Sequence, residues 1–249
     1  MAKTLEGRVA LVTGGTGGIG TAICKRLADG GARVATTYRD GEKGQRWAAA
    51  CQAEGYSFLM IEADVTSFES CRLLAEQVER EAGPIDILVN CAGVTRDTTF
   101  RKMAKETWDC VLRSNLDSVF NVTRHVAPAM AERGYGRIIN ISSINGEKGQ
   151  FGQVNYSAAK AGMHGFTMAL AQEVARKGVT VNTVSPGYIA TDMVLGVPEE
   201  IRTKIVEQIP VGRMGTPQEV AHAVEFLASD EAGFFTGANL SCNGGQHMM

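Results

Sequence analysis

The apolar run Val9–Thr13 breaks into Gly14-Gly15-Thr16-Gly17-Gly18-Ile19-Gly20, and a helical apolar pattern through Ala22, Ile23, Leu27 and Ala28 follows at once. A buried strand turning so abruptly into a helix leaves backbone N–H groups facing outward at the helix start, and glycine lets an anion approach them closely. The arrangement favours a dinucleotide pyrophosphate held by Gly14, Gly18, Ile19 and Gly20 over a plain tight turn. The spacing is T-G-x-x-x-G-x-G. No G-x-x-x-x-G-K-[ST] occurs, which argues against a nucleotide-hydrolysing P-loop.

The rest of the chain repeats the alternation. Strand-like runs at 32–37, 57–63, 85–89, 137–141, 179–184 and 238–242 are separated by helical patterns at 45–54, from about 67, two within 107–130, and at 155–176 and 217–229. Seven strands alternating with helices predict an α/β fold: a single-domain, Rossmann-type, doubly wound, seven-stranded parallel sheet with right-handed crossovers and helices on both faces. Residues 191–208, with Gly196 and Pro198 inside a mixed apolar and charged stretch, read as one or two helices of a substrate lid at about 190–212. A chain of 249 residues can bury a substantial core. Its formal net charge of −2 offers no surface for a polyanion, so nucleic acid is not an expected partner. No apolar run reaches the roughly 18 residues of a membrane span, and the start MAKTLEGRVALVTGG lacks a signal-peptide core. A soluble, cytoplasmic protein without membrane contact is expected. The six cysteines include no C-x-x-C pair and the four histidines no H-x-x-x-H, so no metal site is expected.

Strand ends carry the ligand signals. The second strand ends in Tyr38-Arg39-Asp40. An acid at that end binds a ribose 2′-hydroxyl, whereas an arginine accommodates a 2′-phosphate. With Tyr38 in the acid's place, Arg39 beside it and Asp40 opening the next helix, NADPH/NADP+ is the expected cofactor; a one-residue shift would put Asp40 there and favour NADH. Asp64, followed by Val65, serves either an adenine edge or a helix cap. Asn90-Cys91-Ala92-Gly93 offers small residues against which a cofactor can lie, or a tight turn. Thr95-Arg96-Asp97 and Phe100-Arg101-Lys102 follow in a loop on the side where open parallel sheets bind ligands.

The chemistry concentrates between Asn140 and Lys160. Ser143 precedes Tyr156 by thirteen residues, and Lys160 follows Tyr156 by one helical turn, which puts that pair on one face with Cβ atoms about 5–6 Å apart. A lysine charge at about 6 Å, at an effective dielectric near 20, is expected to lower the tyrosine pKa by about two units, poising the phenol for proton exchange. Ser143 can fix a substrate carbonyl with a hydrogen bond. Asn115, inside an apolar stretch, is structural unless a site lies beside it.

T-G-G-T-G-G-I-G at 13–20, D-V at 64–65, N-C-A-G at 90–93, Asn115, Ser143, Y-S-A-A-K at 156–160 and P-G-Y-I-A-T at 186–191 together resemble the short-chain dehydrogenase/reductase family across essentially the whole chain. Cys91 is a mild departure from the residues usual at its place. The resemblance implies an oxidoreductase in which Tyr156 is the general acid, Ser143 orients the carbonyl, Lys160 binds the nicotinamide ribose, and Asn115 holds a water linking Lys160 to solvent. It implies that Asn90, Ala92, Gly93, Pro186, Gly187 and Ile189 join the glycine loop, Arg39, Asp64, Val65, Tyr156 and Lys160 around the cofactor. It also implies a homotetramer, built through helices at about 105–133 and 155–177 and the last strand.

Within the family, V-T-R-D-T-T-F-R-K-M at 94–103, N-I-S-S-I-N-G-E-K-G-Q-F-G-Q at 140–153 and H-G-F-T-M-A-L-A-Q-E-V-A at 164–175 are similar to the reductases that use acetoacetyl-CoA in polyhydroxybutyrate synthesis. That similarity implies acetoacetyl-CoA as substrate and (R)-3-hydroxybutanoyl-CoA as product, with Asp97, Gln150, Phe151, Gln153 and Tyr188 lining the acyl pocket beside Ser143 and Tyr156. Phe151 has a lid-core reading as well. The 3-oxoacyl-carrier-protein reductases share the catalytic set and are the rival among enzymes; a non-catalytic cofactor-binding scaffold is the rival from outside them.

Overall fold

A computed structural model of the chain describes residues 4–191, 194 and 196–248. Its strands are β1 (Val9–Thr13), β2 (Arg33–Tyr38), β3 (Leu59–Glu62), β4 (Ile87–Asn90), β5 (Gly136–Ile141), β6 (Val179–Pro186) and β7 (Asn239–Cys242). All pair in parallel, in the order β3-β2-β1-β4-β5-β6-β7. This is the α/β, Rossmann-type sheet that the alternation predicts. The order reverses between β1 and β4, and the strand ends part there into the crevice where such sheets bind ligands.

The helices are α1 (Gly18–Asp29), α2 (Gly41–Ala53), α3 (Phe68–Ala82), α4 (Lys105–Leu112), α5 (Ser118–Arg133), α6 (Ile144–Lys148), α7 (Val154–Val174), α8 (Glu199–Glu207) and α9 (Pro217–Ala228). Side chains alternate across a strand, so each strand feeds two cores. Leu11, Leu88, Ile138 and Val181 pack on one face with Leu74 and Val78 of α3, Val122 and Val126 of α5, and Ala171 of α7. Val12, Val89, Ile139 and Val184 pack on the other with Ile23 and Leu27 of α1 and Val220 and Val224 of α9. Burial on both faces is why these strands read as continuous apolar runs. Leu11 and Leu88 are fully buried, and truncating either to alanine is expected to cost about 2–5 kcal/mol.

Local signals fix where helices begin. Thr216 and Glu219 form a reciprocal capping box at α9, with Pro217 in the first turn, where a missing N–H costs nothing. Ser67 caps α3 by accepting from the Ser70 N–H. Two features depart from the expected outline. A π-helical turn, Arg113–Asp117, joins α4 to α5. The five-residue α6 follows β5 directly. The lid stretch contains α8, none of whose side chains is fully buried; residues 192, 193 and 195 of that expectation lie outside the described residues.

Candidate active site

The β1–α1 turn forms one wall of a cleft of about 510 Å³ at the sheet's switch point. Gly14 adopts φ +69°, and a Cβ there would meet the Ala92 Cα at 2.8 Å; one at Gly20 would sit 2.2 Å from the Gly14 carbonyl oxygen. These two glycines let the turn close on itself and on the end of β4. Gly18 makes room differently, since a Cβ would press on Thr191 across the cleft at 2.8 Å. Two threonines that the sequence did not single out pin the cradle. The Thr13 hydroxyl accepts from the N–H groups of Cys91 and Ala92 at 3.1 and 3.2 Å, and the Thr37 hydroxyl accepts from the Gly14 N–H at 3.1 Å. Only Thr13 carries a local signal, as the one hydroxyl at the end of an otherwise apolar strand.

Gly14, Gly18, Ile19, Gly20, Arg39, Asp64, Val65, Ala92, Gly93, Asn115, Tyr156 and Lys160 all line this cleft, with Tyr38, Cys91, Ser142 and Thr191 among the others. Asp40 does not. Its carboxylate caps α2 by accepting from the Lys43 N–H at 3.1 Å, so the β2 end presents Tyr38 and Arg39. Asp64 accepts from the N–H and hydroxyl of Thr66 at 2.9 and 2.8 Å, while Ser67 takes the cap position. The cap reading of Asp64 is thereby corrected to a local turn whose residue also faces the cleft.

Four predicted cofactor residues are not among those lining the cleft. The Asn90 side chain turns into the sheet, donating to Asn140 at 2.9 Å and Thr123 at 3.1 Å. Pro186 sits on β6 opposite Cys242, and the Gly187 N–H donates to the Cys242 carbonyl at 2.9 Å. Ile189 is buried in the α1–α9 core. Asn90 and Ile189 are held by side-chain contacts, whereas Pro186 and Gly187 are held by backbone pairing with β7.

β5 leads into Ser142, which lines the cleft, and Ser143, which does not line it but hydrogen-bonds to Tyr156; α7 brings Tyr156 and Lys160 to the cleft wall. Ser143 is 9% exposed and caps α6, its Oγ accepting from the Asn145 N–H at 3.1 Å. That bond occupies a lone pair and leaves the hydroxyl proton to donate. Lys160 is 4% exposed; its Nζ donates to the Ile141 carbonyl at 2.7 Å and lies 5.5 Å from the centre of the Tyr156 ring. It also donates, more weakly, to the Met163 Sδ at 3.9 Å, and one ammonium proton remains. Asn115 sits in the π-helical turn, fully buried, donating to the carbonyls of Val94 and Val111 at 2.8 and 2.9 Å, while its Oδ1 has no partner. A Cβ added at Gly93 would lie 2.4 Å from that oxygen and 3.6 Å from the Lys160 Nζ, so the orphan acceptor and the ammonium share one pocket. A buried polar site of this kind is where an ordered water belongs.

Burial pushes the Tyr156 phenol up to about 12, with the nearby Cys91 and Asp97 adding to it and a hydrogen bond to Ser143 opposing. Burial likewise brings Lys160 down to about 8. Burial of the phenol therefore opposes the lowering expected from Lys160.

At the cleft mouth, Gln153 donates to the Asp97 carboxylate at 2.8 Å, joining the loop after β4 to the start of α7. Burial and Asp97 raise the Tyr188 phenol as well, which places Tyr188 in the same neighbourhood. Gln150 accepts from Lys148 at 3.5 Å. Phe151 is 86% exposed, so it forms neither an enclosed acyl wall nor a lid core here.

A tyrosine, a serine and a lysine can move protons and hold an oxyanion, but they carry no electrons. Placed against a crevice shaped for a dinucleotide, they define an oxidoreductase that works with a nicotinamide nucleotide. Residues 8–202 match the short chain dehydrogenase family, and the chain belongs to it. It is 57% identical over 243 residues to the acetoacetyl-CoA reductase of Allochromatium vinosum, covering 97% of this chain and 99% of the relative. It is 56% identical over 242 residues to the acetoacetyl-CoA reductase of Cupriavidus necator, covering 97% and 98%. A 3-oxoacyl-[acyl-carrier-protein] reductase of Escherichia coli is 45% identical over 244 residues, covering 98% and 99%. Among the described residues no helix is long and apolar enough to cross a membrane, and no group of three or more His, Cys, Asp or Glu side chains could hold a metal ion.

Proposed function

We propose that this protein reduces the C3 ketone of acetoacetyl-CoA to (R)-3-hydroxybutanoyl-CoA with NADPH, as the precursor-forming step of polyhydroxybutyrate synthesis. The observation that supports the chemistry is the Tyr156 phenol, kept protonated by burial, hydrogen-bonded to the Ser143 hydroxyl. In this reading both hydroxyls turn to one substrate oxygen, the arrangement that stabilises a developing alkoxide. The nicotinamide, when bound, supplies the hydride. Tyr156 gives its proton to the alkoxide oxygen, Ser143 holds that oxygen, and Lys160 would hold the nicotinamide ribose through its remaining proton. Asn115 holds, through its free Oδ1, a water that returns protons towards Tyr156 by way of Lys160. The choice of acetoacetyl-CoA leans on the names of the relatives at 57% and 56% identity.

The preference for NADPH rests on Arg39, which lines the cleft at the β2 end while Asp40 is spent on its helix cap. A carboxylate there would repel a 2′-phosphate; the guanidinium attracts it. The protein works in the cytoplasm as one domain with α8 as part of a small lid, and as a homotetramer. Exposed Phe68 and Phe120, stacked at 6.0 Å, and exposed Met168 give α3, α5 and α7 an apolar surface that another copy can cover; light scattering tests this, and a monomer refutes it.

The deciding experiment compares oxidation of NADPH and NADH with acetoacetyl-CoA and with acetoacetyl carrier protein. Preference for the CoA ester with NADPH supports the reading. Preference for the carrier protein moves the enzyme to fatty-acid elongation, the second reading favoured by the Escherichia coli relative.

A further inference from the structure

The mouth of the cleft holds a chain of side chains that links the loop after β4 to the cap of α6. Asp97 accepts from Gln153 Nε2 at 2.8 Å, and Gln153 Oε1 accepts from Asn145 Nδ2 at 2.8 Å. The Asn145 N–H in turn donates to Ser143 Oγ at 3.1 Å. The direction of every bond follows from one fact. An ionised carboxylate can only accept, so Gln153 must turn its amide nitrogen to Asp97 and its oxygen to Asn145, and Asn145 must then donate. The arrangement has a cost that remains visible: the Asn145 side chain is nine-tenths buried, yet its Oδ1 has no partner. A buried residue left with an orphan acceptor is held there by its donor side.

We propose that Asn145 is a positioning residue: it fixes the polarity of the Gln153 amide and thereby sets how Gln153 and Asp97 meet the acyl thioester at the cleft mouth. The inference rests on the ketone-reductase reading of the site. Asn145 touches no reacting atom in this account. Its main chain steadies Ser143, and its side chain steadies the substrate mouth, so a change to the side chain alone separates the two. The second N–H of Gln153 stays unspent on the Asp97 side of the amide, which gives the mouth one fixed donor beside one fixed carboxylate.

The test is a double-substitution cycle of Asn145→Asp, Asp97→Asn and both together. Asn145→Asp replaces the donor with an acceptor of the same shape, so the Gln153 amide is caught between two carboxylates. KM for acetoacetyl-CoA is expected to rise about tenfold, the worth of one polar contact, and by a larger factor than kcat falls. NADPH affinity, read by fluorescence, is expected to hold. Asp97→Asn alone keeps the chain, because an amide can rotate to accept from Gln153, and its effect should be smaller. The double substitution moves the carboxylate to the other end and restores a donor for every acceptor with the Gln153 amide reversed. Its melting temperature should therefore recover relative to Asn145→Asp, a coupling that needs no substrate. Additive effects on both melting temperature and KM, or an unchanged KM in Asn145→Asp, overturn the proposal. If acetoacetyl-CoA is not turned over even by the unsubstituted protein, the substrate reading falls, and the melting-temperature coupling still decides whether Asn145 wires the amide.

Discussion

Lys160 should make the protein less stable at neutral pH than it would be without the charge. Burial lowers its pKa from 10.5 to about 8. The unfolded chain therefore holds the proton more tightly than the native state between those values, and stability rises with pH through that window. At roughly 1.4 kcal/mol per unit, the penalty is about 3 kcal/mol below pH 8 and vanishes above 10.5. Lys160→Met keeps the length and removes the charge. It also strips the Ile141 carbonyl of its donor, at about 1–3 kcal/mol, but that loss is the same at every pH. Unfolding free energies in urea, read from the fluorescence of Trp47 and Trp108, should place the variant at or above the unsubstituted protein at pH 7. By pH 9.5 the balance should shift towards the unsubstituted protein by about 2 kcal/mol. Tyr156 does not confound this. Its folded pKa is raised from 10 to about 12, so its contribution stays intact below pH 10 and is lost only as pH climbs beyond. A difference between the two proteins that stays constant or moves the other way from pH 7 to 9.5 refutes the reasoning.

Arg39→Ala should raise KM for NADPH by about 10–100-fold, the value of one or two charge-assisted bonds, and leave KM for NADH nearly unchanged; steady-state kinetics with both cofactors checks it. Tyr156→Phe should lower kcat by at least about 10²-fold while NADPH still binds, as followed by nucleotide fluorescence.

The sheet was legible because its strands are covered on both faces and separated by helices of ordinary length. Its edges were less so. β2 runs on to Tyr38, since Tyr38 pairs with Glu62 of β3, and β6 runs on to Pro186, which lies opposite Cys242. Both extensions depend on a neighbour remote in sequence. The glycine loop could be read because glycine is required twice over, once by φ and once by the approach of Ala92. The π-helical turn could not, since no local pattern distinguishes it; it is recognised only by the fully buried Asn115 amide that reaches Val94 and Val111. Amide polarity at the mouth was equally hidden, because it is fixed by a carboxylate 56 residues away.

The Tyr156–Lys160 pair shows where spacing stops informing. One helical turn does put both on the cleft face, as a period of 3.6 requires. The sign of the tyrosine's shift is another matter, because it is the balance of a field against desolvation. Lys160 donates to the Ile141 carbonyl, and desolvation of the part-buried phenol keeps the proton on. That outcome suits an acid and handicaps a base. Reduction needs the phenol protonated, and it is so throughout the neutral range; the reverse oxidation must first remove that proton. Reduction should therefore hold nearly level from pH 6 to 8, while oxidation of (R)-3-hydroxybutanoyl-CoA climbs with pH across the same range. Parallel pH profiles of kcat/KM in both directions check this. An oxidation rate independent of pH between those limits would show that the phenol ionises easily in the working enzyme, and that the field of Lys160, not burial, sets its charge.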